Sequence, residues 1–246
     1  KDRMAAYGAD MNKYLDSGNE ARIKKAYESR DPRLQMAVIT PYAQYNGASS
    51  GIAHTYTLRW PYRGSDSAEP FDIRTDTNDK FYYLWRKFVP EGLEQTERDT
   101  YGLDIPLIRY AEVLLLKAEA LNEWGSTHES EAIRCVNEVR RRAGHVELNN
   151  ATYPATKVNG QSDLRERIRN EYYWEIGGED SMYFHELRWG TWKDKKFDNN
   201  RNGLMQMWGE TTYTWYWLGD QCWSWPIPAK EMEMNSNLEQ NEGWIN

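Results

Sequence analysis

Apolar residues in the middle of the chain recur every three to four positions, the spacing of an amphipathic helix. Between Pro106 and Glu123, one helical face would carry Ile108, Ala111, Leu115, Ala118 and either Leu121 or Asn122. Proline suits a first helical turn, because its missing N–H has no partner there. The spacing therefore predicts a helix over residues 106–123 that is ended by Trp124-Gly125.

A second apolar stripe follows this break. From about Glu129 to Ala143, one face would carry Ile133, Val136 and either Val139 or Arg140, and Gly144 is a typical terminator. Residues 106–143 are therefore predicted to form an antiparallel hairpin that turns at Trp124-Gly125. Small residues such as Ala111, Ala118 and Ala120 at the contact are typical of a tetratricopeptide pair. Because one pair cannot bury its own faces, more helices are expected nearby.

Two further helical segments are predicted outside the hairpin. One runs from 162 or 163 to 176, with Ser162 as its cap and Gly177-Gly178 as its end. The other, between Met4 and Glu28, is broken at residues 17–19 and indicates two short helices.

The rest of the chain is less regular. Between residues 31 and 104, glycines and prolines alternate with aromatic stretches at 56–60 and 81–85, which predicts short strands carried by long loops. A loop rich in Trp and Tyr is predicted from 192 to 225, followed by an irregular tail. Since no low-complexity linker divides the chain, we predict one mainly α domain over residues 1–246.

Composition and charge exclude several classes of function. The net charge of −7 disfavours nucleic-acid binding, which requires a basic face, and the cluster at 140–142 is too small to provide one. Two cysteines, Cys135 and Cys222, are too few for a disulfide framework and are expected to be unpaired. No stretch is long and apolar enough to cross a bilayer, so any targeting signal or lipid anchor is expected outside this sequence.

The hairpin and the regions around it carry motifs that resemble the SusD/RagB family. They are Ile108–Glu123, Val136–Gly144, Leu164–Ile168 with Glu171 and Glu175, Leu187–Gly190, the mid-chain Arg30–Leu34, and a tail with Trp225–Pro228, Glu231, Asn235 and Gln240–Trp244. Their order and spacing match that family. Departures from its pattern are Tyr172 in place of Arg, and Met182, His185 and Glu186 in place of Arg, Asp and Leu, which are expected to weaken a salt-bridge network there.

The resemblance implies a fold and a function. Family members are about twice this length, so the chain would be the C-terminal half, with tetratricopeptide-like hairpins beside a loop-rich region with short strands. Such proteins are non-catalytic lipoproteins on the surface of the outer membrane. They capture a glycan or another nutrient and deliver it to a SusC-like TonB-dependent transporter. No cofactor is implied.

Aromatic residues are the candidate ligand-binding groups. The chain has 12 Trp and 17 Tyr, and these side chains combine a flat apolar face with a hydrogen-bonding tip, which suits sugar rings. Pro61 and Gly64 place part of this set in turn-like sequence. The predicted stacking and hydrogen-bonding residues are Tyr45, Asn46, Trp60, Tyr62, Arg63 and Trp85. A reserve cluster comprises Trp208, Tyr213, Trp215, Tyr216 and Trp217. The alternative for each aromatic residue is core packing.

Two other classes of function stay open. The helical hairpins would serve a protein-interaction scaffold equally well. A glycoside hydrolase needs two carboxylates across a sugar site, for which Asp66, Asp72, Asp76 and Asp79 are loop candidates. Three of these, with Asn78, also leave calcium open, whereas the scattered histidines predict no metal site. The charges of Arg109, Glu112, Glu119 and Glu123 are predicted to pair with residues 140–142 or to face solvent.

Overall fold

The structure is mainly helical, with short strands in its N-terminal third. The computed structural model describes residues 27, 30–40, 43–49, 52–58, 72–73, 84–92, 102, 104–179, 181–197, 217 and 219–244. They fall into two compact units that divide between Met182 and Tyr183. The larger unit lies before this boundary, and the C-terminal unit comprises Tyr183 and the residues after it. The helices predicted between Met4 and Glu28 lie outside the described residues.

The elements are numbered in chain order. The helices are α1 (Pro32–Ala37), α2 (Tyr110–Trp124), α3 (Glu129–Arg142), α4 (Gln161–Glu175), α5 (Ser181–Arg188), α6 (Trp192–Phe197) and α7 (Ala229–Met234). The strands are β1 (Val38–Ile39), β2 (Gln44–Ser49), β3 (Ile52–Leu58), β4 (Asp72–Ile73) and β5 (Leu84–Trp85). The predicted class, mainly α with a loop-rich region of short strands, is confirmed.

Helices α2 and α3 form the predicted hairpin. The chain turns at Gly125 and the short 3-10 helix Ser126–His128, where the Trp124 ring stacks on His128 at a centroid distance of 4.3 Å. The predicted stripe of α3 is buried, and Gly144 follows the helix with a φ of +69°. Acidic residues occupy the first turn of α3 and three arginines its last turn, an order that complements the helix dipole.

The predicted start of α2 is wrong by four residues. Pro106, Leu107 and Ile108 precede the helix, which begins at Tyr110. Leu107 and Ile108 are largely exposed, so no packing stabilises an extra turn, and a helical turn without tertiary contacts is marginal in water. The predicted inward position of Ile108 is therefore also wrong.

Helix α4 packs beside α2 and begins at Gln161, with Gly160 as its N-cap. The predicted cap, Ser162, lies inside the helix instead. Asp163 accepts a hydrogen bond from the Asn159 backbone N–H at 2.8 Å, and Gln161 exchanges amide hydrogen bonds with Asn122. These contacts fix the first turn of α4 against the last turn of α2, which is why the helix starts before Ser162.

The loop-rich region holds two small sheets. Strands β2 and β3 form an antiparallel hairpin, β4 adds to β3 in parallel, and β1 pairs with β5 in an antiparallel sheet of two strands. Helix α1 precedes them, and its cap is Asp31, whose carboxylate accepts the Arg33 backbone N–H. The described parts of the two predicted aromatic strands lie in β3 and β5, which confirms them.

The core of the larger unit lies among the three long helices. Leu115 and Ala118 of α2, Val136 of α3, and Leu164 and Ile168 of α4 are almost completely buried. The outer face of α2 is apolar but exposed at Tyr110, Val113, Leu116 and Trp124. Among the described residues, no helix is long and apolar enough to span a membrane. Both cysteine thiols are free.

The C-terminal unit is less irregular than predicted. Helix α6 begins at Trp192, inside the predicted aromatic loop, and helix α7 interrupts the predicted irregular tail. Pro228 caps α7, and its carbonyl accepts hydrogen bonds from the backbone N–H groups of Glu231 and Met232. Both helices have six residues, too few for apolar periodicity to be recognised.

Candidate functional site

Trp85 presents an aromatic face to solvent from the segment 84–92. This residue ends β5, and its side chain is 57% exposed, which is unusual for tryptophan. The backbone N–H groups of the next two residues, Arg86 and Lys87, both donate to the Ala37 carbonyl, at 2.9 and 3.1 Å. Trp85 therefore lies on a backbone that is fixed to α1 and β1.

Arg86 fixes the segment to the strands. Its guanidinium group donates two hydrogen bonds of 2.6 Å to the Glu91 carboxylate, and it also donates to the carbonyls of Gln35 and Gln44. A bidentate pair of this kind has defined geometry as well as charge. It closes the turn 86–91 and joins it to the start of β2.

Lys87 fixes the same segment to the end of α4. Its ammonium group donates to the carbonyls of Glu175 and Gly177, at 3.0 and 3.3 Å, and forms an ion pair with Glu179. A cation at a helix C-terminus satisfies carbonyls that have no partner in the helix. Phe88, the next residue, has a φ of +60°, a strained conformation for a bulky side chain that persists only where the surroundings hold it.

The Trp85 ring lies directly on Gly178. A Cβ atom added to this glycine would lie 2.7 Å from Cζ3 of the Trp85 ring, closer than any normal contact, and its φ is +82°. Both the space and the backbone conformation therefore require glycine here. The predicted end of α4 at Gly177-Gly178 is confirmed, and the same turn supports the inner face of the Trp85 ring.

Tyr45 and Asn46 lie next to each other on β2, beside the end of the 84–92 segment. The Tyr45 hydroxyl donates to the Pro90 carbonyl at 2.6 Å, and the Tyr45 ring pairs with Tyr56 of β3. The Asn46 side-chain oxygen accepts from the Thr55 hydroxyl at 2.9 Å. Because successive strand residues point to opposite faces, a ligand on one face of this hairpin would contact only one of the two side chains.

The other predicted site residues cannot be placed in the same way. Trp60, Tyr62 and Arg63 lie outside the described residues. Of the reserve cluster, only Trp217 is described; it packs against Trp192 and Trp223 in the C-terminal unit. The structure therefore brings Tyr45 and Asn46 to the segment that carries Trp85. Residue types alone did not reveal the charged residues that fix Trp85, namely Arg86, Lys87 and Glu179.

Two buried glutamates of α4 organise an ion cluster beneath this segment. Glu171, which is 0% exposed, accepts hydrogen bonds of 2.7 Å from both Arg33 and Arg140. Glu175, one turn later, accepts from Arg33 at 3.1 Å and from Arg109 at 2.9 Å, and it also pairs with Arg142. The two carboxylates thus join α4 to the mid-chain motif and to both helices of the hairpin.

The cluster shows how the family-like motifs act together. Arg33 belongs to the mid-chain motif, Arg109 immediately precedes α2, and Arg140 and Arg142 lie in the last turn of α3. The prediction that Arg109 pairs with residues 140–142 or faces solvent is wrong: it binds Glu175 and Glu179. Glu123 pairs with Arg165 of α4, and Glu112 is buried. Both helices of the hairpin are therefore joined to α4 by ion pairs. The spacing of residues within the hairpin could not predict these pairs.

Two carboxyl groups at these arginines, those of Glu175 and Asp31, have lowered pKa values. Burial acts to raise the pKa of Glu175, but hydrogen bonds from Arg109 and Arg33 and the charge of Arg142 outweigh it, so that pKa lies below its usual value. Burial acts in the same direction on Asp31. There, hydrogen bonds from the Arg33 side chain and backbone N–H outweigh it and lower the pKa. Neither carboxyl is suited to donate a proton near neutral pH.

These lowered pKa values predict acid sensitivity. A carboxyl whose pKa is lower in the folded chain stabilises it fully above the ordinary pKa, 3.8 for Asp31, and loses this contribution as pH falls through the folded-state pKa. We therefore expect Asp31→Asn to destabilise the chain in urea at pH 7 and at pH 5, with a difference from wild type that shrinks below pH 3.8. A difference that stayed constant down to pH 3 would contradict this account.

The four departures from the family pattern are buried. Tyr172 is fully buried in α4, and Met182, His185 and Glu186 of α5 are at most 8% exposed. His185 stacks on Trp189 and accepts a hydrogen bond from Arg188 at 3.1 Å. In the part of the chain that the structure describes, the Glu171 and Glu175 ion pairs are formed beside Tyr172, so the substitution at this position is compatible with that network.

A model of the SusD family matches residues 7–244. The chain belongs to the SusD family. Among curated relatives of this SusD-family chain, SusD-like protein P38 of Formosa agariphila is 32% identical over 139 residues, which are 56% of this chain and 24% of that protein. The starch-binding protein SusD of Bacteroides thetaiotaomicron is 28% identical over 161 residues, which are 65% of this chain and 25% of that protein.

Solved structures show the same fold. A SusD-like protein from Bacteroides fragilis matches with a TM-score of 0.57 and 23% identity, over 89% of this chain and 40% of that one. A SusD homologue from Bacteroides thetaiotaomicron gives 0.55 and 21%, over 92% and 43%. The SusD-family chain thus spans about a quarter of the curated relatives and about 40% of the solved ones.

Proposed function

We propose that this chain is the C-terminal part of a longer, non-catalytic surface protein that captures a glycan, with Trp85 as a stacking residue. The observation that carries the proposal is the 57% exposed Trp85 ring, supported from below by Gly178. Aromatic rings stack on the apolar faces of sugars, and their polar tips orient hydroxyl groups. Membership of the SusD family and a starch-binding relative support a carbohydrate as the ligand.

The rigidity of the segment favours binding. Arg86 and Lys87, the two residues after Trp85, hold the backbone with ion pairs to Glu91 and Glu179, so ligand binding would not have to order this segment. Avoiding that loss of conformational entropy is the usual advantage of a preorganised site. Tyr45, Asn46, Trp60, Tyr62 and Arg63 are the proposed further contacts, through ring faces and hydrogen bonds.

The carboxylates of the ion cluster support a binding role without catalysis. A glycosidase needs one carboxyl that can donate a proton and a second that faces the sugar. Glu171 and Glu175 are buried and paired with arginines, and the pKa of Glu175 is lowered, which is the opposite of what an acid catalyst needs. Neither glutamate is therefore suited to be the acid of a glycosidase. As a non-catalytic binder, the protein is expected to release no reducing ends from polysaccharides.

Delivery to a transporter completes the proposal. By analogy with the family, the captured glycan would pass to a SusC-like TonB-dependent transporter in the outer membrane. A lipid anchor outside this sequence would hold the protein at the cell surface. Fractionation of cells that make the intact protein, followed by protease treatment of whole cells, tests this localisation. Recovery of the protein only in the cytosol would contradict it.

Binding itself is tested by affinity gel electrophoresis of the chain in gels containing soluble starch, xylan or laminarin. A binder is retarded in one of these gels relative to a polysaccharide-free gel, whereas an unrelated protein of similar charge is not. Starch is included because of the relative's name. Isothermal titration with maltoheptaose, xylohexaose and laminarihexaose then measures affinity. Equal mobility in all gels and no heat of binding would contradict the proposal.

A protein-interaction scaffold is the second candidate, favoured by the exposed apolar face of α2. Val113 and Leu116 are exposed on this helix, and aliphatic side chains of that kind pack against other helices rather than sugars. If this face is a docking surface, the isolated chain should self-associate in sedimentation velocity, and Val113→Glu with Leu116→Glu should keep it monomeric. A monomeric wild-type chain that binds glycan would reject the scaffold in favour of the first proposal.

A further inference from the structure

Trp225 exposes a second tryptophan ring, in the C-terminal unit. Its side chain is 76% exposed, more than that of Trp85. It begins the tail motif Trp225–Pro228, in which two prolines restrict the backbone. One exposed aromatic ring on a flexible tail would be weak evidence for a binding site. The surroundings of this ring are fixed, however, by side chains from the last residues of the chain.

Three side chains hold the backbone of residues 224–227. The Asn241 amide donates to the Trp225 carbonyl at 2.6 Å, and the Trp244 indole N–H donates to the Ser224 carbonyl at 2.8 Å. The Gln240 amide exchanges two hydrogen bonds with the backbone of Ile227, at 2.7 and 3.0 Å. These contacts replace the backbone pairing that a strand or helix would provide. Hydrogen bonds from these side chains therefore hold the backbone at Trp225, as other contacts hold the backbone at Trp85.

Other aromatic rings of the same unit adjoin Trp225. Its indole N–H points at the Tyr183 hydroxyl, at 3.5 Å, and the Tyr183 ring meets Phe184 and Trp192 edge to face with centroids 5.4 Å apart. Phe184 is exposed. Trp192 in turn packs on Trp217 and Trp223. Trp225, Tyr183 and Phe184 thus form an aromatic surface supported by a packed tryptophan cluster.

We propose that this surface is a second saccharide-stacking site, distinct from Trp85. The inference rests on the proposed glycan binding and extends it to two sites on one chain. A sugar fits this surface better than a protein helix does, because two of its three rings, Trp225 and Tyr183, carry polar tips and the Asn241 amide lies beside the Trp225 carbonyl. The outer face of α2, by contrast, exposes the aliphatic side chains of Val113 and Leu116.

The test compares four variants of the full chain by isothermal titration with maltoheptaose, xylohexaose and laminarihexaose. Wild type should bind at two sites, and Trp85→Ala and Trp225→Ala should each retain one. Each remaining site should be lost in the double variant. Removing a stacking ring is expected to weaken its own site roughly 5- to 150-fold, by analogy with base stacking. Trp124→Ala is the matched control, because that ring is also 76% exposed but belongs to the hairpin turn.

The outcomes separate the two proposals. If Trp225→Ala binds like wild type while Trp85→Ala loses all binding, the second site is overturned and the first stands. If Trp85→Ala binds like wild type and Trp225→Ala loses binding, the aromatic surface is the site and Trp85 is not. If wild type binds none of the three oligosaccharides, both are overturned. A loss with Trp124→Ala equal to that with Trp225→Ala would also overturn the second site. Thermal melting of each variant verifies that it is folded.

Discussion

Replacing Glu171 by Gln is expected to lower the free energy of unfolding by about 3–5 kcal/mol, the usual cost of removing one partner from a buried ion pair. The Glu171 side chain is inaccessible to solvent and binds both Arg33 and Arg140, whose side chains are also nearly buried. Glutamine has almost the same shape but no charge. Arg140 would then lose its buried counter-charge, while Arg33 would keep Asp31 and Glu175.

Glu123→Gln is the matched control. Its carboxylate forms a comparable bidentate pair with Arg165, at 2.6 Å, but the pair is exposed on the surface of α2 and α4. Exposed pairs contribute about 0–1 kcal/mol, so this variant should unfold almost like wild type. Urea denaturation at pH 7 measures both. If the two substitutions cost the same, burial would not be the reason that Glu171 matters.

Replacing Trp85 by Ala is expected to weaken glycan affinity at its site about 5- to 150-fold, corresponding to about 1–3 kcal/mol for one lost stacking ring. The stability of the fold should change little, because the ring is largely exposed and the backbone is fixed by Arg86 and Lys87. Isothermal titration with the oligosaccharide that binds best measures the affinity, and thermal melting measures the stability.

Two further variants show whether the ring itself is responsible. Trp85→Phe keeps a smaller aromatic face and should retain part of the affinity. Gly178→Ala keeps the Trp85 side chain but would add a methyl carbon 2.7 Å from its ring, so the ring must shift. If affinity depends on the position of the ring, this variant should bind more weakly than wild type. Unchanged affinity in Trp85→Ala would exclude Trp85 as a stacking residue.

The helical part of the fold was predictable because its signals are local. The stripes of α2 and α3 follow the 3.6-residue period, and Trp124-Gly125 and Gly144 mark the turn and the end. The start of α2 was not predictable from that pattern. Pro106 is compatible with a first helical turn, but Leu107 is too exposed for packing to stabilise that turn. Helices as short as α6 and α7 carry too few residues for a period.

The candidate site was predictable only in part. Trp85 was identified as a candidate from its aromatic character, and the opposite faces of Tyr45 and Asn46 follow from strand geometry. Its exposure and its support by Gly178 depend on contacts between segments about 90 residues apart, which one sequence does not contain. The same holds for Arg109, whose partners Glu175 and Glu179 lie at and just after the end of α4, 66 and 70 residues later in the chain.

The ion cluster also sets how the chain can be divided. Arg33 and Glu171 are 138 residues apart in sequence, yet each is the buried counter-charge of the other. Cutting the chain between the strands and the helices, to express either part alone, would separate Arg33 from Glu171 and Glu175 and leave it with Asp31. Chimeras that exchange the loop-rich region between relatives would have to keep an arginine at position 33 to retain its ion pairs with Glu171 and Glu175. The loop-rich region that carries the candidate site and the helices beneath it should therefore be expressed, or exchanged between relatives, together.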